Sequence, residues 1–328
     1  MEEILKIEKL KIYYKNISGL AKAVDGVSLN IYPNEILGIA GESGSGKTTM
    51  VNGLVRLVKP PAYIADGNII LNYNKNGNLL KIDLLKVPED EMRNFRWSVI
   101  SYIPQGSMNS LNPVLKIRDQ IIDVVVEHSG KSREEAESII PSLLRSVNLE
   151  PSVADMYPHE LSGGMKQRVI IAMALALDPK VVIADEPTTA LDVVSQLSVL
   201  STLYQVCRRV NASLVLVTHD MAVHAQLTDR VAIMYAGKVV EVGKTNEVFK
   251  KPLHPYTKAL LLSIPTIEGK RRRLEGISGL APSPTNWPKG CRFNPRCPYS
   301  KDICTEREPE EIEYEPGHYV SCFLYGGE

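Results

Sequence analysis

Two short stretches of the chain carry the residue types of a phosphate-transfer site. The segment GESGSGKT (41–48) fits the eight-position phosphate-loop pattern, with a buried-strand pattern before it and a helical pattern after it. Glycines there let successive N–H groups surround phosphate oxygens, while the lysine adds positive charge and a hydroxyl can ligate Mg²⁺. In VVIADE (181–186) an apolar run leads to two carboxylates. The pair predicts Asp185 in a Mg²⁺ shell and Glu186 polarising an attacking water.

The pattern around these stretches predicts an α/β fold. Alternation in residues 4–14 and apolar runs on both sides of a turn at 33–35 predict strands, and a helix should run from the phosphate loop to the prolines at 60–61. Residues 67–84 are predicted to form a hairpin. Helical periodicity dominates from 112 to about 160, after which strands and helices alternate again. Such alternation predicts a parallel sheet with covering helices.

Bulk composition excludes several classes of protein. The 328 residues carry 38 basic and 38 acidic side chains, so net charge predicts no nucleic-acid partner. We interpret the one dense basic run, KRRR (270–273), as a solvated linker. The apolar run at 169–177 is about half of the ~18 residues a membrane helix needs, and the first residues lack a signal peptide's apolar core. We therefore expect a cytoplasmic protein whose thiols stay reduced.

A third motif gives the family resemblance. LSGGMKQR (161–168) resembles the LSGGQ signature of ABC-transporter ATPases, with Met165 in place of the usual glutamine. Four other positions resemble the family's, in the same order along the chain. Tyr14 resembles its adenine-stacking aromatic residue, and Gln105 resembles the glutamine that senses the γ-phosphate. Residues 190–192 resemble the loop that joins the ATPase dimer, and His219 resembles the histidine that contacts the γ-phosphate. Tyr13 competes with Tyr14 for the adenine, because alternation along a strand lets only one of them face the nucleotide.

The resemblance implies an ATP and Mg²⁺ site shared between two ATPase subunits. It implies catalytic roles for Glu186, His219, Lys47 and Gln105, and Mg²⁺ ligation by Thr48, Gln105 and Asp185. ATP would be bound by Tyr14, Gly41, Glu42, Ser43, Gly44, Ser45, Gly46, Lys47, Thr48, Thr49, Gln105, Ser162, Gly163, Gly164, Asp185, Glu186 and His219. Ser162, Gly163 and Gly164 open a helix, whose N–H groups and dipole favour an anion. In the family that anion is the γ-phosphate bound to the opposite subunit.

Further stretches resemble the ATP-binding subunits of oligopeptide and dipeptide permeases, namely residues 103–113, 254–265 and 290–298. The resemblance implies an ABC ATPase core with a RecA-like parallel sheet and an antiparallel β subdomain (1–105 and 166–253), a helical subdomain (106–165) and a small Cys-rich extension (254–328). It implies an ATPase that powers peptide import at the cytoplasmic face of the membrane. Its partners would be a second, related ATPase subunit, two membrane permease subunits and an extracellular solute-binding protein. Relatives of this architecture also serve oligosaccharides or nickel, and a non-transport ABC ATPase is the remaining alternative.

Four of the five cysteines fall in the last forty residues. The spacing of Cys291, Cys297, Cys304 and Cys322 fits neither zinc ribbons nor ferredoxin runs, so spacing alone identifies no metal. The residues alone leave four possibilities for these cysteines: an iron–sulfur cluster, a zinc ion, disulfides or free thiols. The permease resemblance implies a [4Fe–4S] cluster, which some family members carry, with zinc as the runner-up. Cys207 is expected to be a small core residue.

Overall fold

The computed structural model describes residues 2–17, 19–75, 78–263 and 277–326, and the chain divides into two compact units. The mid-chain unit contains Tyr32–Ile36 and Lys86–Val217, and the terminal unit contains Glu3–Ile31, Leu37–Leu85 and Thr218–Glu328. The basic run 270–273, which we interpret as a linker, lies outside the described residues.

The N-terminal elements of the chain are mainly strands. They are β1 (Leu5–Asn16), β2 (Gly19–Ile31), β3 (Ile36–Ala40), α1 (Lys47–Leu54), β4 (Ala62–Lys75) and β5 (Asn78–Asp83). An antiparallel sheet of the terminal unit has the order β2-β1-β4-β5, so the predicted hairpin is confirmed as the pair β4–β5. β3 is buried along its whole length, as its apolar sequence predicts. Helix α1 ends at Leu54, a turn earlier than predicted, because Arg56 takes a positive φ of 52°.

The mid-chain unit is mainly helical around three parallel strands. Its elements are α2 (Glu89–Phe95), β6 (Ile100–Ile103), α3 (Ile117–Ser129), α4 (Arg133–Ser146), α5 (Gly163–Leu175), β7 (Val181–Asp185), α6 (Val193–Arg209) and β8 (Ser213–Val217). The strands pair in the order β6-β7-β8. Ser132 and Glu135 form a capping box that starts α4. The predicted helices and the parallel pairing are confirmed.

The C-terminal part of the terminal unit adds both helices and strands. It comprises α7 (Met221–Leu227), β9 (Arg230–Tyr235), β10 (Lys238–Lys244), α8 (Thr245–Lys250), α9 (Pro255–Leu262), α10 (Asp302–Glu306), β11 (Ile312–Glu315) and β12 (His318–Val320). β9 pairs in parallel with β3 and antiparallel with β10. β12 then pairs with β10, and β11 with β12. These last two strands carry no sequence pattern that predicts them.

A buried carboxylate joins the C-terminal region to β10. Glu241, 1% exposed, accepts the N–H groups of Leu253 (2.9 Å) and His254 (2.8 Å), which lie just before α9. Its Oε1 lies 2.8 Å from Nε2 of His318 in β12. β10, the residues just before α9, and β12 therefore meet at the Glu241 side chain. Its hydrogen bonds hold both the start of the C-terminal region (254–328) and strand β12 in place.

The predicted α/β class, with parallel and antiparallel sheets and covering helices, is confirmed. Among the helices formed by the described residues, none combines the length and the apolar character that crossing a bilayer requires.

A fully buried histidine makes the stability of the terminal unit pH-dependent. His224 lies with Nε2 3.1 Å from the Thr218 carbonyl, while its Nδ1 has no partner. Burial lowers the pKa of His224 to about 4, since protonation would bury an unpaired charge. Between pH 6.5 and 4 the unfolded chain therefore binds one more proton than the native protein, and stability falls as pH falls.

We predict that this histidine contributes a slope of about 1.4 kcal/mol per pH unit across that window. Urea unfolding of the protein and of His224→Gln at several pH values would measure it. The substitution keeps a donor for the Thr218 carbonyl but cannot titrate, so the variant should lose that part of the slope. Equal slopes for the two proteins would contradict the assignment.

Candidate nucleotide-binding site and cysteine pocket

The phosphate loop connects β3 to α1 in the terminal unit and leaves no room for a side chain at two of its three glycines, Gly41 and Gly46. Gly46, the N-cap of α1, has φ +101°, and a Cβ there would stand 2.2 Å from the Ala23 carbonyl oxygen in β2. A Cβ on Gly41 would stand 2.1 Å from the Met234 carbonyl oxygen in β9. The loop backbone is thus pressed against two strands, and it leads into the N-terminus of a helix, a setting that favours an anion.

The lysine of the loop is folded back over it. Lys47 is 6% exposed, and its Nζ donates to the carbonyl oxygens of Gly41 (2.8 Å) and Glu42 (2.9 Å) and to Ser45 Oγ (3.4 Å). These bonds satisfy a buried ammonium and close the loop into a ring of backbone around one positive charge. Ser43, Gly44 and Thr48 of the loop are exposed to solvent.

Tyr13 and Tyr14 point to different partners, as strand alternation requires. The hydroxyl of Tyr14 lies 3.1 Å from Oγ1 of Thr49, inside α1. Tyr13 instead donates to Asp25 (2.5 Å) and packs edge-to-face on Tyr63. Of the two tyrosines, Tyr14 is therefore the one that contacts the helix following the phosphate loop.

His219 lies exposed in the terminal unit, immediately before the N-cap residue of α7. That N-cap is Asp220, whose carboxylate accepts the Ala222 N–H (2.8 Å). Because the Asp220 cap holds the first turn of α7, it also fixes the backbone of the adjacent His219.

The mid-chain unit brings two predicted site residues together. Glu186 directly follows β7, and its carboxylate accepts a hydrogen bond from Gln105 Nε2 (2.8 Å). Glu186 has a positive φ of 44°, a strained value for a residue with a side chain, and its N–H donates to the Val217 carbonyl in β8 (2.9 Å). Thr189, which the sequence analysis missed, donates its hydroxyl hydrogen to the Glu186 carbonyl (3.0 Å) and lies 3.3 Å from its Oε2.

Asp185 ends the buried strand β7 and is itself fully buried. The Tyr102 hydroxyl lies 3.5 Å from its Oδ2, a long hydrogen bond. Burial, followed by the charge of Asp185, raises the pKa of the Tyr102 hydroxyl, which keeps it protonated as a donor.

The signature residues form the start of α5. Ser162 is the N-cap, and its Oγ accepts the Met165 N–H (3.3 Å). A Cβ on Gly163 would stand 3.0 Å from Leu191, the middle residue of the predicted dimer loop. Gln167, one turn further on, is another residue that the sequence analysis missed: it is buried and accepts a bond from Ser107 Oγ (3.1 Å). It thereby ties α5 to the segment after Gln105.

The four C-terminal cysteines line a single pocket of the terminal unit, and all five cysteines of the chain are free thiols. Burial, and then the neighbouring sulfurs, raise the pKa of the Cys291 thiol to about 11. The Cys291 N–H donates to the Cys304 carbonyl (2.8 Å), which links two of the cysteine segments. Across the described part of the chain, no group of three or more His, Cys, Asp or Glu is set for holding a metal ion.

Cys207 is fully buried in α6, as predicted for a core residue. Burial raises the pKa of its thiol to about 12. It therefore stays a protonated thiol at neutral pH, unlike a reactive cysteine.

Taken together, the phosphate loop, the strand-end carboxylates and the helix-opening signature define an ATP-binding cassette. The model of the ABC transporter family matches residues 24–189, and that of the oligopeptide/dipeptide transporter C-terminal region matches residues 240–304. The chain therefore belongs to the ABC transporter family, as an ATP-binding subunit of the oligopeptide and dipeptide permease type, and is an ATPase.

Several known proteins resemble the chain along most of its length. It is 42% identical to the oligopeptide transport ATP-binding protein AppD of Bacillus subtilis, covering 99% of this chain and 98% of that protein. It is 40% identical to the dipeptide transport ATP-binding protein DppD of Caldanaerobacter subterraneus, with the same coverage. The ATP-binding cassette MJ0796, solved as a dimer with ADP and Pi, matches with a TM-score of 0.62 and 29% identity, over 74% of this chain and 98% of that one.

We predict that substitution by alanine has different effects on ATP binding and stability at two glycines of the phosphate loop. Gly46→Ala should abolish ATP binding and lower stability, because its methyl group meets a backbone carbonyl that cannot move aside. Gly44→Ala is the matched control: its φ is +79°, but its Cβ would meet nothing within 4 Å, so only backbone strain of about 1 kcal/mol is added. Calorimetric ATP titration and thermal unfolding of both variants test this, and equal losses would contradict it.

Proposed function

We propose that this ATPase powers the import of oligopeptides or dipeptides. The observation that carries the proposal is the match over the full chain, including the C-terminal region, to proteins named for oligopeptide and dipeptide transport. We further propose that the chain works at the cytoplasmic face of the membrane, with a second ATPase subunit, two permease subunits and an extracellular solute-binding protein.

We propose distinct roles in ATP binding and hydrolysis for the residues of the site. Lys47 and the N–H groups of residues 41–49 bind the phosphates, and Tyr14 stacks on adenine. Thr48, Gln105 and Asp185 would hold Mg²⁺; hydroxyl, amide and carboxylate oxygens are the hard ligands that this ion takes, so the donor set fits. When bound, the ion neutralises charge on the β- and γ-phosphates.

Glu186 is proposed as the residue that orients water and accepts its proton. The water oxygen bonds to the γ-phosphorus, the bond to the bridging oxygen breaks, and ADP leaves. The hydrogen bond from Gln105 holds the carboxylate in one orientation, with the Thr189 hydroxyl 3.3 Å from the same oxygen, which favours a defined line of attack. His219 would contact the γ-phosphate, and Ser162, Gly163 and Gly164 would bind the γ-phosphate held by the partner subunit.

We predict that Glu186→Gln lowers ATP hydrolysis by a factor of at least about 100, since general-base catalysis contributes this much or more. ATP binding should persist, because the phosphate-loop contacts are untouched. Phosphate release and ATP titration would measure the two properties. Glu134→Gln, at an exposed position in α4, is the control and should hydrolyse ATP as the unchanged protein does. Full turnover by Glu186→Gln would contradict the assignment.

The transported solute is tested in proteoliposomes that contain the chain with its permease and ATPase partners. Adding the solute-binding protein with di- or oligopeptides should stimulate ATP hydrolysis and peptide uptake. Oligosaccharides and Ni²⁺ should do neither. Stimulation by a sugar or by nickel alone would overturn peptide import and leave the ATPase assignment standing.

We also propose that Cys291, Cys297, Cys304 and Cys322 hold a [4Fe–4S] cluster, which would cross-link the C-terminal segments. Four free thiols around one pocket are the donor set of such a cluster. Four thiolates on one zinc ion would lie about 4 Å apart, given Zn–S bonds of about 2.3 Å. In a four-iron cluster each thiolate binds its own iron, so four cysteines match its ligand number, and zinc is the second candidate.

We predict that anaerobically purified protein absorbs broadly in the visible range and contains about four irons per chain. Cys297→Ser should lose iron and lower the unfolding temperature. Cys207→Ser, which removes a buried thiol outside the pocket, should keep the iron. A colourless protein with one zinc per chain would contradict the cluster.

A further inference from the structure

An arginine from the segment between Cys291 and Cys304 forms an ion pair with a residue of the phosphate loop. Arg296 directly precedes Cys297, and its side chain is 5% exposed. Its guanidinium donates to both carboxylate oxygens of Glu42, at 2.8 and 3.0 Å. Glu42 is the second residue of the phosphate loop, so a bidentate ion pair connects two segments 254 residues apart in the chain.

The rest of the Arg296 side chain is held equally firmly. Nε donates to the Ser278 carbonyl (3.0 Å), and a terminal nitrogen donates to the Tyr235 hydroxyl (3.3 Å). The guanidinium also lies over the Tyr235 ring, 5.8 Å from its centre. A planar, fixed guanidinium of this kind loses little freedom when it binds a carboxylate, which makes its hold on Glu42 rigid.

The backbone of Glu42 is held from the same region of the chain. Its N–H donates to the hydroxyl of Tyr256 in α9 (2.8 Å). Tyr256 is fully buried and packs against Tyr235 and Phe293, with ring centres 4.5 and 5.5 Å away. Burial raises the pKa of Tyr256, so the hydroxyl stays un-ionised.

The three polar groups of Glu42 are therefore all engaged. Its N–H is bound by Tyr256, its carboxylate by Arg296, and its carbonyl oxygen by Lys47 Nζ (2.9 Å). A displacement of Glu42 would move the oxygen that holds the Lys47 ammonium. The position of the phosphate-binding lysine is thus linked to residues of the C-terminal region.

We propose that Arg296 is a positioning residue for ATP binding, which acts with Tyr256 to hold Glu42 so that the phosphate loop is preformed for the triphosphate. In this role Arg296 acts through Glu42 and not through the nucleotide. Its loss should weaken ATP binding by loosening the loop, whereas turnover at saturating ATP should change little, because the carboxylates of the reaction lie elsewhere. The inference concerns ATP binding and does not depend on which solute is transported.

The test is the affinity of the full chain for a non-hydrolysable ATP analogue with Mg²⁺, together with KM and kcat for ATP. Arg296→Met should raise the analogue Kd and the KM by about tenfold, as expected for a lost hydrogen-bonded ion pair. Arg296→Lys keeps the charge but has a single donor nitrogen in place of the planar guanidinium fork, and should recover part of the affinity. In the Glu42→Gln background, Arg296→Met should cost less than it does alone, because the two residues act through one contact.

Arg292→Met is the matched control. Arg292 is in the same segment, is 7% exposed and also pairs with carboxylates. Its partners are Asp25 in β2 and, at 3.7 Å, Glu308, and neither belongs to the phosphate loop. Arg292→Met should lose about as much thermal stability as Arg296→Met, and its Kd for the ATP analogue should stay unchanged. If Arg296→Met does not fold, Tyr256→Phe replaces it, since it removes only the hydroxyl that accepts the Glu42 N–H.

Two outcomes would overturn the proposal. One is unchanged analogue affinity in a folded Arg296→Met or, in its place, Tyr256→Phe variant. The other is an equal loss of affinity in Arg292→Met, which would show that the C-terminal region acts through general stability and not through Glu42.

Discussion

The burial of one ammonium group is the constraint on which the site depends. Lys47 lies almost inaccessible to water, so its N–H groups must find protein acceptors, and the phosphate loop supplies three. The loop can reach around the lysine only because its glycines accept positive φ and close backbone contact. Its place is fixed from outside as well: the Ser45 carbonyl accepts the N–H of Gly237, in the turn between β9 and β10 (2.9 Å).

The local part of this arrangement was predictable from sequence, and the long-range part was not. The phosphate loop follows from eight consecutive residues between a buried strand and a helix, so its pattern is complete in one stretch of the sequence. Alternation shows that Tyr13 and Tyr14 face opposite ways, but not which way. The choice depends on Asp25 and Thr49, which folding alone brings to them. β11 and β12 have four and three residues, too few for a periodic signal. β12 is ordered by pairing with β10, and β11 by pairing with β12.

In the mid-chain unit, motifs identified separately meet in one hydrogen-bonded group. Gln105 and Glu186 end neighbouring parallel strands, so their proximity follows from the topology once β6 and β7 are paired. Thr189 could not be found in this way, because a single threonine in a turn carries no pattern. Its bonds matter because Glu186 has a strained backbone, which surrounding contacts must hold in place.

The C-terminal region is ordered mainly by polar anchors. Between Trp287 and Arg307 regular structure is limited to a three-residue turn and the five-residue α10, and most backbone hydrogen bonds of the segment close local turns. Phe293 enters the core, and Trp287, Cys291 and Cys297 pack against it. The polar anchors are the Trp287 indole N–H on the Lys22 carbonyl (3.0 Å) and the guanidinium groups of Arg292 and Arg296. A segment with so little regular structure gains most from a cross-link. The four thiols stand where a cross-link would hold Arg296 against Glu42, so stability of the segment and geometry of the phosphate loop depend on the same few residues.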